Sequence, residues 1–233
     1  MPAESDEALW HPSPNFGDRR QNGSVRLVVL HYTAMESAAA ALERLCDPSF
    51  EVSAHYLIGN DGQLWQLVPE AKRAWHAGAG QWGEITDVNS YSIGIELDNL
   101  GHAPFAEPLM QRLIEILRVL LARYALPPEA VIGHSDMAPV RKRDPGRAFP
   151  WARLAEQGLS VWPETPQPLA PDETRFAEAA FDFGYPVAPV DHLLEAIRQR
   201  FRPKASGPLS SDDMGVMVDL ARRFPVDRGS QNA

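Results

Sequence analysis

Residues 26–33 read "RLVVLHYT", and this stretch decides the fold that we expect. Four apolar residues, two of them β-branched, stand in a row from Leu27 to Leu30. A short apolar run of this kind is typical of a strand buried inside a sheet. We expect the strand to end at His31, so that an imidazole side chain lies at the end of a buried strand.

Further strands are predicted along the chain from the same kind of pattern. Two apolar runs flank the turn "GNDG" (59–62), whose residues tolerate positive φ, so a hairpin is expected there. "YSIGIEL" (91–97) predicts another strand, in which Gly94 indicates a bend or a close approach of another group. "AVIGH" (130–134) predicts a final short strand that ends at His134.

Helices are predicted between these strands. "SAAAALERL" (37–45) is rich in Ala and Leu behind a Ser that can cap it. Residues 107–126 carry apolar side chains at helical spacing, and Pro127 and Pro128 then stop the helix. Strands that alternate with helices predict an α/β fold with a mixed central sheet flanked by helices.

The composition changes after residue 160. "VWPETPQPLAP" (161–171) holds four prolines and predicts a stiff linker, and helical segments follow it. We therefore divide the chain into an α/β domain (1–160), a proline-rich linker (161–173), a small helical module (174–227) and a tail (228–233).

Composition limits the partners of this 233-residue chain. Its net charge of −9 argues against nucleic acid as a partner, since nucleic-acid-binding domains are usually basic. No apolar run approaches the length of a membrane span, and the first residues lack the apolar core of a signal peptide. The one cysteine, Cys46, cannot form an internal disulfide. We expect a cytoplasmic protein, with the periplasm as the alternative.

The stretch "GHSDMAPVRKRDPG" (133–146) completes a candidate metal site. His31 and His134 are both expected at strand ends, and Asp144 follows on a loop bent by Pro and Gly. Two imidazoles and a carboxylate suit zinc, with a fourth position left for water. The residues alone leave a second interpretation open, in which His31 is a strand-end histidine hydrogen-bonded to backbone.

Six motifs in order carry a resemblance to a known family: "VVLHYTA", "SAHYLIGNDGQLWQLVPE", "AWHAG", "NSYSIGIELDN", "VIGHSDMAPVRKRDPG" and "FPW". Over about residues 10–160 the chain resembles the zinc-dependent N-acetylmuramoyl-L-alanine amidases of the AmpD/AmiD kind. The resemblance implies a peptidoglycan recognition protein-like fold. It also implies one Zn²⁺ per chain, bound by His31, His134 and Asp144.

The resemblance also implies two catalytic side chains. Glu96 matches the family's general base and acid, although a strand-end carboxylate in a salt bridge is the alternative. Lys142 matches the lysine that faces the oxyanion, although Arg141 and Arg143 beside it leave open that any of the three is a solvated charge.

Further residues are assigned to the cleft or to the core. Trp75, His76 and Tyr32 are expected to bind substrate, with core packing as the alternative for Trp75. His55 is expected to be structural rather than catalytic.

The resemblance implies hydrolysis of the amide between N-acetylmuramic acid, or its anhydro form, and L-Ala of the stem peptide. The expected partners are anhydro-muropeptides or peptidoglycan, with neither nucleic acid nor membrane, and the expected state is a monomer. The alternative function is a non-catalytic peptidoglycan-recognition protein. The C-terminal helices resemble peptidoglycan-binding modules, and packing on the catalytic domain is the other interpretation.

Overall fold

The computed structural model describes residues 8–164 and 166–226, so the predicted tail (228–233) lies outside the described residues. The strands are β1 (Leu9–Trp10), β2 (Phe16–Asp18), β3 (Leu27–Tyr32), β4 (Tyr56–Ile58), β5 (Leu64–Gln66), β6 (Lys72–Ala74), β7 (Ser92–Leu97) and β8 (Val131–Gly133). The helices are α1 (Ala38–Cys46), α2 (Val88–Tyr91), α3 (Glu107–Tyr124), α4 (His134–Met137), α5 (Trp151–Glu156), α6 (Glu173–Phe183), α7 (Val190–Phe201) and α8 (Ser211–Arg223). None of the helices in these two ranges is long and apolar enough to cross a bilayer.

A six-stranded sheet lies at the centre, in the order β1-β5-β4-β7-β3-β8. The strands β4, β7, β3 and β8 are parallel neighbours, whereas β4 and β5 pair antiparallel as a hairpin. The predicted α/β fold with a mixed central sheet is confirmed, and so is the hairpin around residues 59–62. A separate two-stranded sheet of β2 and β6 was not predicted.

Strand β3 contributes to the core on both faces of the sheet. Val28 and Leu30 pack in one apolar cluster with residues of α3. Leu27 and Val29 pack in a second cluster, which includes residues of α6, α7 and α8. A strand that is covered on both faces carries a continuous apolar run, which explains the pattern at residues 27–30.

The C-terminal helices share the second cluster with the sheet. Phe176, Phe183 and Leu193 are buried in it together with Val29 and Ile132. The described part of the predicted linker also contacts these helices: the N–H of Leu169 donates to the carbonyl of Ser211 at 3.0 Å. The domain boundaries stay a prediction, but residues of all three C-terminal helices share one apolar cluster with residues of the sheet.

Strand β8 ends one residue earlier than predicted. Its pairing with β3 stops at Gly133, and His134 is the first residue of α4 rather than the last of the strand. The carboxylate of Asp136 accepts the N–H of Gly133 at 2.8 Å, which caps the helix and turns the chain out of the sheet.

Candidate active site

Parallel strands that end at one edge of the sheet bring polar side chains together. His31 on β3 lies opposite Glu96 on β7, and Leu30 lies opposite Gly133 on β8. His134, which follows Gly133, therefore starts from the same edge. Ligands of open α/β sheets bind beyond the carboxyl ends of the strands, so this edge is the expected position of a site.

Asp144 reaches the same point from the loop after α4. The N–H of Ser135 donates to the carbonyl of Asp144 at 2.9 Å, which fastens the loop to the helix. The Oδ2 atom of Asp144 lies 2.9 Å from Nδ1 of His31 and 2.9 Å from Nδ1 of His134. The two Nδ1 atoms are also 2.9 Å apart, and all three residues are buried. Over residues 8–164 and 166–226, this is the one such convergent group of three potential metal ligands.

The hydrogen bonds behind His134 and His31 determine which ring nitrogens carry protons. The Nε2 of His134 lies 2.8 Å from the carbonyl of Ala77, which only accepts, so Nε2 carries the proton. The hydroxyl of Ser92 donates to the Val88 carbonyl at 2.6 Å and so accepts from Nε2 of His76 at 3.1 Å. The Nδ1 of His76 must then accept from Nε2 of His31, at 3.0 Å.

Both histidines are therefore protonated at Nε2, and in each the unprotonated Nδ1 faces Asp144. Two lone pairs and a carboxylate oxygen within 2.9 Å of one another repel unless a cation lies between them. In a tetrahedral zinc site with bonds of about 2.0 Å, ligand atoms are about 3.3 Å apart, so a small expansion admits the ion. The residues fit zinc in donor type, tautomer and geometry, and the outer hydrogen bonds are those that orient metal-bound histidines.

The electrostatics of the group favour the same protonation states. Burial and the neighbouring His134 lower the pKa of His31 from 6.5 to about 4, so this imidazole is neutral at pH 7. Burial opposes ionisation of Asp144, and hydrogen bonding and positive charge at the two histidines would hold the pKa of this carboxyl well below its usual 3.8. With both Nδ1 atoms unprotonated, a cation between the three groups has to supply that stabilisation instead.

Glu96 is a half-buried residue in the wall of the cleft, and the Oε2 atom of its carboxyl group is buried. Its Oε2 has no hydrogen-bond partner among the described residues. Burial, with a further contribution from the charge of Asp144, raises the pKa of Glu96 well above 4.5, and Lys142 partly opposes this shift. A carboxyl group with a raised pKa and a free oxygen is suited to take up and release a proton. The salt-bridge alternative for Glu96 finds no partner in the described structure.

The three basic residues before Asp144 differ in what they contact. Arg141 donates to the carbonyls of Ala77, at 2.8 Å, and Ala79, at 3.0 Å. Arg143 donates to Pro139 O at 2.6 Å and to Lys142 O at 2.8 Å. The ammonium of Lys142 has no hydrogen bond or ion pair with a described residue, and its side chain lines the cleft. Among these three residues, Lys142 is thus the one whose charged group has no partner in the described structure.

The cleft is an open cavity of about 450 Å³ that contains the three candidate ligands. Tyr32, Trp75, His76, Glu96 and Lys142 all line it. His76 has a second role that sequence reasoning missed, since it also contacts His31 from behind. Gly94 is the sequence feature that indicates the position of His76, because a Cβ at residue 94 would lie 2.4 Å from the His76 ring.

His55 lies below the cleft and is fully buried. Its Nδ1 accepts the N–H of Gly94 at 3.0 Å, and its Nε2 donates to the carbonyl of Lys72 at 3.0 Å. Burial and the charge of Arg19 lower its pKa from 6.5 to about 3. Both ring nitrogens are occupied by backbone groups, which is the arrangement of a structural histidine.

Comparisons with known proteins agree with this geometry. Residues 21–147 match the N-acetylmuramoyl-L-alanine amidase family (Amidase_2). The N-acetylmuramoyl-L-alanine amidase AmiD of Escherichia coli (strain K12) is 34% identical over 236 residues, covering 87% of this chain and 84% of AmiD.

Solved structures of such enzymes share the fold. The complex of E. coli AmiD with its substrate anhydro-N-acetylmuramic acid-L-Ala-D-gamma-Glu-L-Lys superposes with a TM-score of 0.79, covering 86% of this chain and 90% of that chain. AmpDh3 from Pseudomonas aeruginosa, 30% identical, superposes with a TM-score of 0.78 over 97% of this chain and all of its own. The chain therefore belongs to the N-acetylmuramoyl-L-alanine amidase family.

Proposed function

We propose that this chain is a zinc-dependent hydrolase of peptidoglycan fragments. It cleaves the amide between N-acetylmuramic acid, or its 1,6-anhydro form, and L-Ala of the stem peptide. The observation that carries the proposal is the convergence of three unprotonated ligand atoms in a cleft that also holds the carboxyl group of Glu96, whose buried Oε2 has no hydrogen-bond partner among the described residues. Membership of the amidase family supports the type of bond.

His31, His134 and Asp144 would hold one Zn²⁺ per chain. Bound zinc supplies a Lewis acid that polarises an amide carbonyl and lowers the pKa of water to about 7. The outer contacts of both histidines keep their Nδ1 atoms bare and aimed at one point.

Glu96 is the group that moves the proton. It takes a proton from the attacking water as the oxygen bonds to the lactyl carbonyl carbon. It then gives that proton to the nitrogen of L-Ala as the carbon–nitrogen bond breaks. The second proton of the water stays on the new hydroxyl group, so the products are a carboxylic acid on the sugar and an amine on the peptide, which ionise to carboxylate and ammonium at neutral pH. The raised pKa of Glu96 suits both steps, since the carboxyl group must accept and then donate.

Lys142 would stabilise the negative charge that develops on the carbonyl oxygen. Its uncommitted ammonium in the cleft supports this role, whereas the guanidinium groups of Arg141 and Arg143 are bound to backbone carbonyls. Trp75 and Tyr32 would form walls against sugar or peptide, and His76 would combine a place in the wall with its support of His31.

The proposed ligands are soluble anhydro-muropeptides or intact peptidoglycan. AmiD and AmpDh3 were solved with anhydromuramic peptides, which supports the first class. A cytoplasmic enzyme would meet recycled fragments and a periplasmic one would meet the wall, so the preferred substrate also bears on location.

The test is release of stem peptide, followed by mass spectrometry. The purified chain is incubated with an anhydro-muramyl tripeptide and, separately, with intact sacculi, with and without a chelator. Glu96→Gln is the inactive variant and Arg143→Gln is a matched control at the rim of the same cleft. We expect release that the chelator stops and that only Glu96→Gln abolishes. Binding without release by the wild-type protein would instead establish a recognition protein.

A further inference from the structure

A buried ion pair joins the C-terminal helices to the helix that carries His134. Arg200 on α7 donates from Nη1 to Oδ2 of Asp136 at 2.7 Å. The side chains of both residues are only 1% exposed. Arg200 also lies against the ring of Trp151, with 4.4 Å from its guanidinium carbon to the ring centroid. Such a pair, shielded from water, resists small displacements of either partner.

Asp136 determines where α4 begins. Its Oδ2 accepts the N–H of Gly133 at 2.8 Å, and His134 is the next residue. The helix has only four residues, so its position depends on contacts from outside. The second carboxylate oxygen, Oδ1, accepts the hydroxyl of Tyr185 at 2.6 Å. Both oxygens of the capping residue are therefore bound by side chains from the C-terminal segment.

Arg200 also holds the strand that leads into α4. Its Nη2 donates to the carbonyl of Val131 on β8 at 2.9 Å and to the hydroxyl of Ser160 at 3.2 Å. One guanidinium group thus spans β8, which ends just before His134, and α4, which begins with it. The aim of His134 Nδ1 depends on the relative position of these two elements.

The loop that orients the other nitrogen of His134 is held by the same segment. Ala77, whose carbonyl accepts from Nε2 of His134, begins a loop that runs to Gly83. The N–H of Gly83 donates to the carbonyl of Gly184 at 2.8 Å. Trp82 stacks edge-on against Tyr185 with ring centroids 5.2 Å apart.

We propose that Arg200 and Tyr185 are positioning residues of the metal site. They hold Asp136 and, through it, the short helix that aims Nδ1 of His134 at the ion. The C-terminal helices are then part of the scaffold of the site and act on it from behind the sheet. The inference rests on the metal site of the proposed function.

The chain offers a matched control on the same helix. Arg198 forms a similar buried pair with Asp213, at 2.6 Å, with side chains 4% and 0% exposed. Its other contacts, to the carbonyls of Gly207 and Pro208, lie within the C-terminal segment. Lysine keeps the charge but lacks the forked guanidinium, so Arg200→Lys and Arg198→Lys remove similar sets of buried hydrogen bonds. Only the set of Arg200 reaches α4. Tyr185→Phe removes a single hydroxyl group, so it tests the same proposal if Arg200→Lys does not fold.

The test measures zinc affinity by competition with a chromophoric chelator, and kcat and KM in the same preparations. We expect Arg200→Lys and Tyr185→Phe to bind zinc about tenfold more weakly and to lose kcat at unchanged KM. Arg198→Lys should keep the wild-type zinc affinity and kcat, whatever it loses in thermal stability. Wild-type zinc affinity in both Arg200→Lys and Tyr185→Phe would overturn the inference, and so would an equal loss in Arg198→Lys. A wild-type protein that binds no zinc would overturn the proposed function as well.

Discussion

Replacing Gly184 by alanine tests whether the C-terminal helices and the sheet share one core. Gly184 follows α6 with φ of +128°, which residues with a side chain rarely adopt. A Cβ at this position would lie 2.7 Å and 2.8 Å from two ring atoms of Trp82. Trp82 is 1% exposed, and the rings of Phe183 and Tyr185 pack against it, so it cannot move aside freely.

The expected loss of stability has two parts. The backbone conformation costs alanine about 2 kcal/mol, and overpacking against a buried ring costs about 2 kcal/mol more. Gly158→Ala is the control, because Gly158 has φ of +69° and nothing within 4 Å of its Cβ position. It should lose about 1 kcal/mol, since strain is partly offset by the lower entropy of the unfolded chain.

The assay is urea unfolding followed by tryptophan fluorescence and by far-ultraviolet circular dichroism. We expect a free energy of unfolding about 4 kcal/mol lower for Gly184→Ala and about 1 kcal/mol lower for Gly158→Ala. Both probes should report one transition, because the module and the sheet unfold together. Equal losses for the two variants, or a separate transition of the C-terminal helices, would refute the shared core.

Three further predictions concern the cleft, a buried histidine and the C-terminal segment. Lys142→Met should lower kcat about 100-fold in steady-state assays with little change in KM, because oxyanion contacts act in the transition state. Arg143→Met, at a guanidinium bound to backbone carbonyls, should change kcat less than about threefold, and equal losses for the two would contradict the assignment. His55→Gln should reduce the slope of unfolding free energy against pH by about 1.4 kcal/mol per unit between pH 4 and 6. The His55 pKa is about 3 when folded and 6.5 as a free group, so the stability from its neutral ring is complete above pH 6.5 and is lost as pH falls toward 3. Urea titrations at several pH values measure that slope, and an unchanged slope would mean that His55 titrates normally. Deletion of residues 165–233 should yield a chain without cooperative unfolding, because it uncovers Val29 and Ile132, and a folded fragment would contradict this.

Local pattern was enough to predict the elements that carry the site. The apolar run before His31 marks a strand covered on both faces, and the hairpin turn at residues 59–62 is a local signal. Parallel strands end at one edge of a sheet, so the convergence of His31 and His134 follows from topology. Gly94 indicated a close approach, and the structure shows the ring of His76 there.

Contacts between distant parts of the chain could not be predicted in this way. Arg200 and Asp136 are 64 positions apart, and each looks like a surface charge in its own segment. The start of α4 at His134 depends on that same aspartate, so the predicted strand ran one residue too far. The choice among three adjacent basic residues needed the positions of the backbone carbonyls that bind Arg141 and Arg143.

Isotope labelling identifies the bond that the chain is proposed to cleave. The purified chain, loaded with zinc, hydrolyses an anhydro-muramyl tripeptide in water enriched in ¹⁸O, and both fragments are weighed by mass spectrometry. We predict one ¹⁸O atom in the new carboxylate of the sugar fragment and an unlabelled peptide with a free L-Ala amine. Label in the peptide fragment, or an uncleaved substrate that stays bound, would contradict this prediction.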